Sequence, residues 1–330
     1  MPASRTEIDL ALSALIFTVD LGGTHLRAGV IGENGRVYHR FKQPTPRADN
    51  PDEIVRAIVS AARECQRTIA RSIAFSSVSV AVPGTINIEA GAVVSAPNIP
   101  GLNKFPLATA LARELACPVI LENDANAAAV GEMWQGAGRG CRTIVCLTLG
   151  TGVGGGIILD GKLWRGSDGS AAEIGHISVN PFGGIPCTCG SHDCLEVYAS
   201  ATAIVRLARE RLSQYPDSKL RLDQDLTSEQ IYLAGIDGDQ LALEVFRIMG
   251  TYLGAGIATL ISVINPEIII IAGGAANGWK LFEKHMRHEV TDRSFPLPAA
   301  QVRIVPAECG DDAGLLGAAR LAFARQPSSV

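Results

Sequence analysis

No arginine–lysine block stands out in this chain. Its 29 basic residues are outnumbered by 33 acidic ones, and the net charge is −4. The clustered positive charge of a nucleic-acid-binding surface is therefore absent from the reading. The N-terminal apolar run from Ile8 to Val19 is broken by Asp9 and Ser13 and is too short to span a bilayer. It lacks the basic start and small-residue cleavage site of a secretory signal, so a cytoplasmic protein with no membrane partner is expected. Charged residues make up 19% against 47% apolar, which excludes disorder. The 35 glycines follow no G-X-Y period. The Walker pattern GxxxxGK[ST] is also missing.

What is there is an alternation of strands, helices and glycine turns over 330 residues, enough for two domains. Leu15–Val19, Arg27–Ile31 and Val37–Phe41 read as strands, with a turn at Glu33-Asn34-Gly35. Pro44–Asp49 reads as a loop. Pro51 to about Ala70 has helical spacing with Ile54, Ile58, Ala61 and Ala62 inward. Val78–Val82 and Val119–Leu121 are further strands, and Asp124 caps a helix toward Gln135. Thr143–Leu149 and Gly155–Leu159 form a glycine-rich hairpin. Leu195–Leu212 and Leu241–Ile264 read as helices, with Gly250, Gly254 and Gly256 permitting close packing. Glu267–Ile271 and Val302–Val305 are strands, and Asp311 starts a terminal helix. The expected division is residues 1–121, completed by 311–330, and residues 122–310.

Three glycine turns follow strands. In Asp20-Leu21-Gly22-Gly23-Thr24, two glycines let the backbone approach a polyphosphate, Thr24 can donate to it, and Asp20 can hold magnesium. The run Gly150 to Gly156, with Thr151 and Gly152 at its tip, offers bare amides to phosphate oxygens. It is no dinucleotide fingerprint, because an extended segment follows it instead of a helix, and no acidic residue stands at the expected distance. Gly273 and Gly274 after Ile268–Ala272 suit a wall for adenosine. Each turn also has a plain structural reading as a tight connection.

Two clusters carry side-chain chemistry. Glu122-Asn123-Asp124 lies between a strand and a helix. An N-cap is the ordinary use of such an aspartate, but phosphoryl transfer needs a carboxylate that accepts the hydroxyl proton. Glu173 and His176 stand three residues apart, and the two ring nitrogens of His176 can serve a metal and a hydroxyl. His176 with Cys187, Cys189 and Cys194 makes a four-ligand structural zinc set, although CxC is tighter than the zinc-finger CxxC. His192 is a rival ligand. Glu196 opens a helix and can face a sugar. The other five cysteines, Cys65, Cys117, Cys141, Cys146 and Cys309, are read as free core thiols, since a disulfide framework does not suit a chain of this size and class.

These residues resemble the ROK (repressor/open reading frame/kinase) family of sugar kinases, in the actin-like ATPase superfamily. The likeness runs from about Phe17 to Ala322. It rests on DLGGTHLR at 20–27, ENDANAAAVGE at 122–132, GTGVGGGI at 150–157, AAEIGHISV at 171–179, CTCGSHDCLEVYAS at 187–200 and GDDAGLLGAA at 310–319. It implies an α/β fold of two actin-like (ribonuclease H-like) ATPase domains with an interdomain cleft. It implies ATP-dependent phosphorylation of a free hexose at its 6-hydroxyl, most of all glucose, with Asp124 as general base. Gly84, Asn98, Asn123, Glu173, His176 and Glu196 would bind the sugar. Asp20, Gly22, Gly23, Thr24, Thr151 and Gly152 would serve the phosphates and Mg2+, and Gly273 and Gly274 the adenosine. His176, Cys187, Cys189 and Cys194 would hold structural Zn2+, and a homodimer or homotetramer is the usual assembly. Two departures stand out. The stretch from His176 to Cys187 is about one residue longer than is common, and His192-Asp193 precedes Cys194 where many members have glycine at the second position. On a loop, that aspartate would be tolerated and would add charge near the metal.

N-acetylmannosamine, or another hexose or N-acetylhexosamine, is the alternative acceptor. A sugar-responsive repressor is the alternative from another class. It would carry a DNA-binding helix-turn-helix ahead of the first strand, where about 15 residues stand here.

Overall fold

The computed structural model describes residues 14–46, 49–69, 74–221 and 225–325. Ile8–Ser13 of the N-terminal run, part of the loop before Pro51, and Ala70 lie outside the described residues. Two compact units emerge. One holds the chain up to Gly140, Leu163–Ala171 and everything from Asp311 on; the other holds Cys141–Lys162 and Ala172–Gly310.

In the first unit, β1 (Leu15–Leu21) is central. It pairs antiparallel with β2 (His25–Gly32), which pairs antiparallel with β3 (Val37–Pro44). On its other side β1 pairs in parallel with β4 (Ser77–Val82). Both faces of β1 and β4 are covered, which is why they read as nearly unbroken apolar runs. Helix α1 (Pro51–Ile69) packs its Ile54, Ile58, Ala61, Ala62 and Cys65 face into this core. Burying an isoleucine of this kind contributes roughly 1.5–3 kcal/mol. A short hairpin of β5 (Thr85–Asn87) and β6 (Ala92–Ser95) precedes α2 (Leu107–Leu115), and β7 (Val119–Asn123) adds in parallel beside β4. Helix α3 (Asp124–Gln135) follows with no intervening residue. The sheet order is β3-β2-β1-β4-β7.

The second unit repeats that plan. The hairpin β8 (Ile144–Leu149) and β9 (Val153–Leu159) extends to β10 (Lys162–Leu163), while β11 (Ile268–Ala272) and β12 (Arg303–Pro306) add in parallel beyond β8. Its order is β10-β9-β8-β11-β12. Both sheets thus have one arrangement, a hairpin edge and a parallel half sharing a central strand. This is a mixed α/β fold of the actin-like kind.

The helices of the second unit are α4 (Glu196–Ala199), α5 (Ala201–Arg211), α6 (Ser228–Ile236), α7 (Gln240–Ile264), α8 (Trp279–Arg293) and α9 (Pro296–Gln301). The continuous helix expected over 195–212 is in fact broken. Ser200 is extended, and its hydroxyl caps α5 by accepting from the Ala203 amide. Helix α7 is long and apolar enough to cross a membrane, but its apolar side is core. Gly250 and Gly254 sit against the Phe282 and Met286 carbonyls of α8, and Gly256 against Leu195.

The chain then returns to the first unit as α10 (Ala313–Phe323), two residues later than the Asp311 start expected. Helices α3 and α10 cross backbone to backbone. A Cβ on Gly317 would stand 1.7 Å from the Ala127 carbonyl oxygen, and one on Gly131 2.1 Å from that of Ala313. Small residues at 127, 131, 313 and 317 make this approach possible.

Candidate functional site

The chemistry-bearing residues gather at the carboxyl ends of parallel strands, where open α/β sheets place their ligands. In the first unit these are the ends of β1, β4 and β7; in the second, those of β8 and β11.

Asp124 is the first residue of α3, and the N-cap is Asn123, not Asp124. The Asn123 side chain accepts from the Asn126 amide at 3.0 Å and donates to the Gly84 carbonyl at 3.1 Å. Its extended backbone suits it to the cap, and its bond to Gly84 leaves one amide hydrogen of Asn123 for a ligand. Asp124 is half-buried, and its Oδ1 accepts from the Ala125 amide at 2.8 Å. The unpaired amides of the first helical turn stabilise negative charge there. Gly84, with φ +103°, passes so close to the Ser95 carbonyl that no side chain fits. Gly23 lies against Asn98, which draws these two candidates together.

Below this cluster lies a pair that the sequence reading did not single out. Glu122 is buried, and its Oε2 accepts from Nε and Nη2 of Arg165 at 2.9 and 2.7 Å. Its Oε1 accepts from the Asn123 amide and from Asn126 Nδ2. A bidentate guanidinium on a buried carboxylate fixes orientation as well as charge, so Arg165 sets the floor under residues 123 and 124. The only sequence signal for it was one arginine in a polar loop.

At the end of β1, the turn of Gly22 to Thr24 is held by Thr45. The Thr45 hydroxyl donates to Gly22 O at 2.6 Å and its amide to Thr24 O at 2.9 Å. Asp20 is mostly covered, 3.4 Å from Arg27, with the start of α10 at Gly314 against its carboxylate. Burial pushes its carboxyl above the usual range, with Arg27 pulling the other way. Arg27 reaches on to Asp311, and Arg40 pairs with Asp312.

In the second unit the glycine hairpin is less open than its composition suggests. A Cβ added at Gly150 would meet nothing within 4 Å, but one on Gly152 would meet Glu196 Oε2 at 2.2 Å, and one on Gly155 would meet the Ala172 carbonyl at 2.5 Å. Glu196 Oε2 accepts from the Val153 amide at 2.9 Å. The Ala201 amide donates to Gly150 O, and the Thr202 hydroxyl to Thr151 O, both at 2.8 Å. The segment that opens with Glu196 is thus bonded directly to the glycine hairpin. Gly273, with φ +89°, packs on the Leu149 backbone, so the turn after β11 adjoins that hairpin, and Gly274 beside it is exposed. Glu173 is exposed and begins the 3-10 turn that carries His176.

His176, Cys187, Cys189 and Cys194 offer ligand atoms all within 4.8 Å of one another. His176 Nδ1 is 3.7 Å from Cys187 Sγ, and Cys189 Sγ is 3.6 Å from Cys194 Sγ. A tetrahedron with metal–sulfur bonds of about 2.3 Å puts two sulfurs about 3.8 Å apart, so the set fits one four-coordinate ion. The chemistry of the donors agrees. Burial and the neighbouring thiols push the Cys194 thiol up, while hydrogen bonds, first from the Ser191 backbone, pull that of Cys189 down. Nδ1 of His176 faces the sulfurs, while His192 is exposed and outside the set. Of the other five cysteines, Cys65 and Cys146 are buried, and burial pushes Cys65 up to about 12. Cys117, Cys141 and Cys309 are only half-buried, which corrects their reading as core thiols. Cys141 lies near the sheet edge, with its sulfur 3.0 Å from Arg303.

The sequence profile of the ROK family matches residues 16–325. A glucokinase of Halalkalibacterium halodurans is 38% identical over 304 residues, covering 91% of this chain and 92% of that one. The crystal structure of a ROK family glucokinase from Streptomyces griseus in complex with glucose and AMPPNP superposes with a TM-score of 0.81 at 36% identity, covering 93% and 99% of the two chains. A ROK family transcriptional regulator, a homologue of the Escherichia coli Mlc protein, superposes with a TM-score of 0.85 at 28% identity, over 95% of this chain and 78% of that one.

Proposed function

We propose that this chain, which belongs to the ROK family, transfers the γ-phosphoryl group of ATP to the 6-hydroxyl of a free hexose, with glucose as the preferred acceptor. The observation that carries the reading is the bond from the Val153 amide to Glu196. It ties a carboxylate suited to sugar hydroxyls to a hairpin suited to phosphates, in a chain resembling a glucokinase known with glucose and a nucleotide analogue.

Asp124 acts as general base. The sugar oxygen attacks the γ-phosphorus, its proton passes to the Asp124 carboxylate, the bond to the bridging oxygen breaks, and ADP leaves. Phosphoryl transfer asks the protein mainly for positioning and charge stabilisation. Glu122 and Arg165 supply rigidity beneath Asp124. Gly84, Asn98, Asn123, Glu173, His176 and Glu196 hold the sugar. Backbone amides around Gly22, Gly23, Thr24, Thr151 and Gly152 face the phosphates, Asp20 faces the magnesium that accompanies ATP, and Gly273 and Gly274 bound the adenosine. The metal on His176, Cys187, Cys189 and Cys194 is Zn2+, closed to substrate and structural in role. A metal held there would order the loop that carries Glu173 and Glu196.

Two measurements test this. A coupled assay with ATP and magnesium on glucose, N-acetylmannosamine, N-acetylglucosamine, fructose and allose should give its highest kcat/KM on glucose. No turnover on any of them would end the kinase reading, and a preference for N-acetylmannosamine would move the acceptor. Elemental analysis should find about one zinc per chain, falling in Cys194→Ser, which removes one of four ligands. A protein active without any zinc would remove the metal from the reading.

A further inference from the structure

Asp193 does not lie on an open loop, as the sequence suggested. It is fully buried, with φ +55°, a left-handed conformation that favours glycine and strains a side-chain-bearing residue.

Asp193 Oδ1 accepts from the Ile185 amide at 3.0 Å and from the Tyr198 hydroxyl. Its backbone amide donates to Ile185 O at 2.8 Å, and its carbonyl accepts from the Val179 amide at 2.9 Å. The carboxylate also fills the space beside Gly184, where a Cβ would come within 2.5 Å of Oδ1. Asp193 therefore grips the 179–185 stretch through backbone and side chain together. Tyr198 is buried and stacked on Tyr252 of α7, with ring centroids 3.7 Å apart. It stands on α4, the same four-residue helix that opens with Glu196. A helix this short has too few internal bonds to set its own direction, so side-chain anchors must set it.

We propose that Asp193 is a positioning residue. Through the Tyr198 hydroxyl, its carboxylate sets the orientation of α4 and with it the place of Glu196, so this link tunes sugar affinity separately from the metal. The proposal rests on the reading of Glu196 as a sugar ligand.

The test uses the full zinc-loaded chain and three substitutions. Tyr198→Phe keeps the stacked ring and removes the hydroxyl. It should raise the glucose KM up to about tenfold, the loss expected for one hydrogen bond, with the ATP KM and the zinc content unchanged. Asp193→Gly should raise the glucose KM to a similar degree even though it relieves the left-handed strain, and combining it with Tyr198→Phe should add little, since both break one link. Asp193→Asn, which keeps an acceptor for Tyr198, should recover most of the affinity. A glucose KM unchanged in Tyr198→Phe overturns the proposal. So does a rise that tracks lost zinc, because the residue would then serve only the metal loop. Glu196→Gln separates the two layers. If it leaves the glucose KM unchanged, the sugar-ligand reading of Glu196 fails. If it raises the KM while Tyr198→Phe does not, only the role of Asp193 fails.

Discussion

Replacing Asp124 with asparagine should lower kcat for hexose phosphorylation by about 10²–10⁴-fold, the usual contribution of a positioned base. The glucose KM should change little. Asparagine keeps an oxygen for the Ala125 amide that Asp124 now binds at 2.8 Å, so the first turn of α3 is retained. What disappears is the acceptor for the hydroxyl proton. The negative charge at the helix N-terminus is also lost, at a cost of roughly 0.3–1 kcal/mol, too little to unfold the chain. The discriminating measurement is kcat beside a thermal melt. A folded variant with near-normal kcat would remove Asp124 from the chemistry and leave it as a helix-start residue.

The second large effect is on stability. Gly317→Val should lower Tm by about 5 °C or more, since overpacking a tight core contact costs about 1–3 kcal/mol and backbone contacts yield least. At this crossing a Cβ on residue 317 would lie 1.7 Å from Ala127 O and 2.5 Å from its carbonyl carbon. Both belong to the backbone, so no rotamer change relieves them. The helix pushed aside is α3, which carries Asp124, and activity should fall with stability. Circular dichroism melting of the variant gives the answer. An unchanged Tm would mean that α3 and α10 separate at little cost, and the close crossing would not be a structural requirement.

The strands were legible because period and apolar content suffice to mark them. Leu15–Leu21, Ser77–Val82 and Ile268–Ala272 are covered on both faces, and their sequences carry that burial openly. Edges were less legible. The two-residue strand at Lys162–Leu163 is too short for any pattern. The break at Ser200 was missed because serine within a helical spacing looks like a tolerated interior residue until its hydroxyl is seen to cap the next helix. Asn123 was passed over as a cap for a related reason. Asparagine and aspartate are about equal at that position, and only the contact to Gly84 chooses between them.

By itself the sequence determined the local chemistry: glycine turns after strands, the Glu122–Asp124 cluster, and three cysteines and a histidine close enough along the chain to meet. Those follow from neighbours in sequence, which the chain cannot separate. The tertiary structure decided everything that depends on residues far apart. Arg165 reaches Glu122 across 43 positions, and Glu196 reaches the Val153 amide across another 43. Gly152 and Gly155 are also needed by packing, which their place in a glycine run did not reveal. Asp193, which reads as a loop residue, is buried because Tyr198 and Ile185 close over it. A carboxylate has the same composition exposed or buried, and only folding sets which donors surround it.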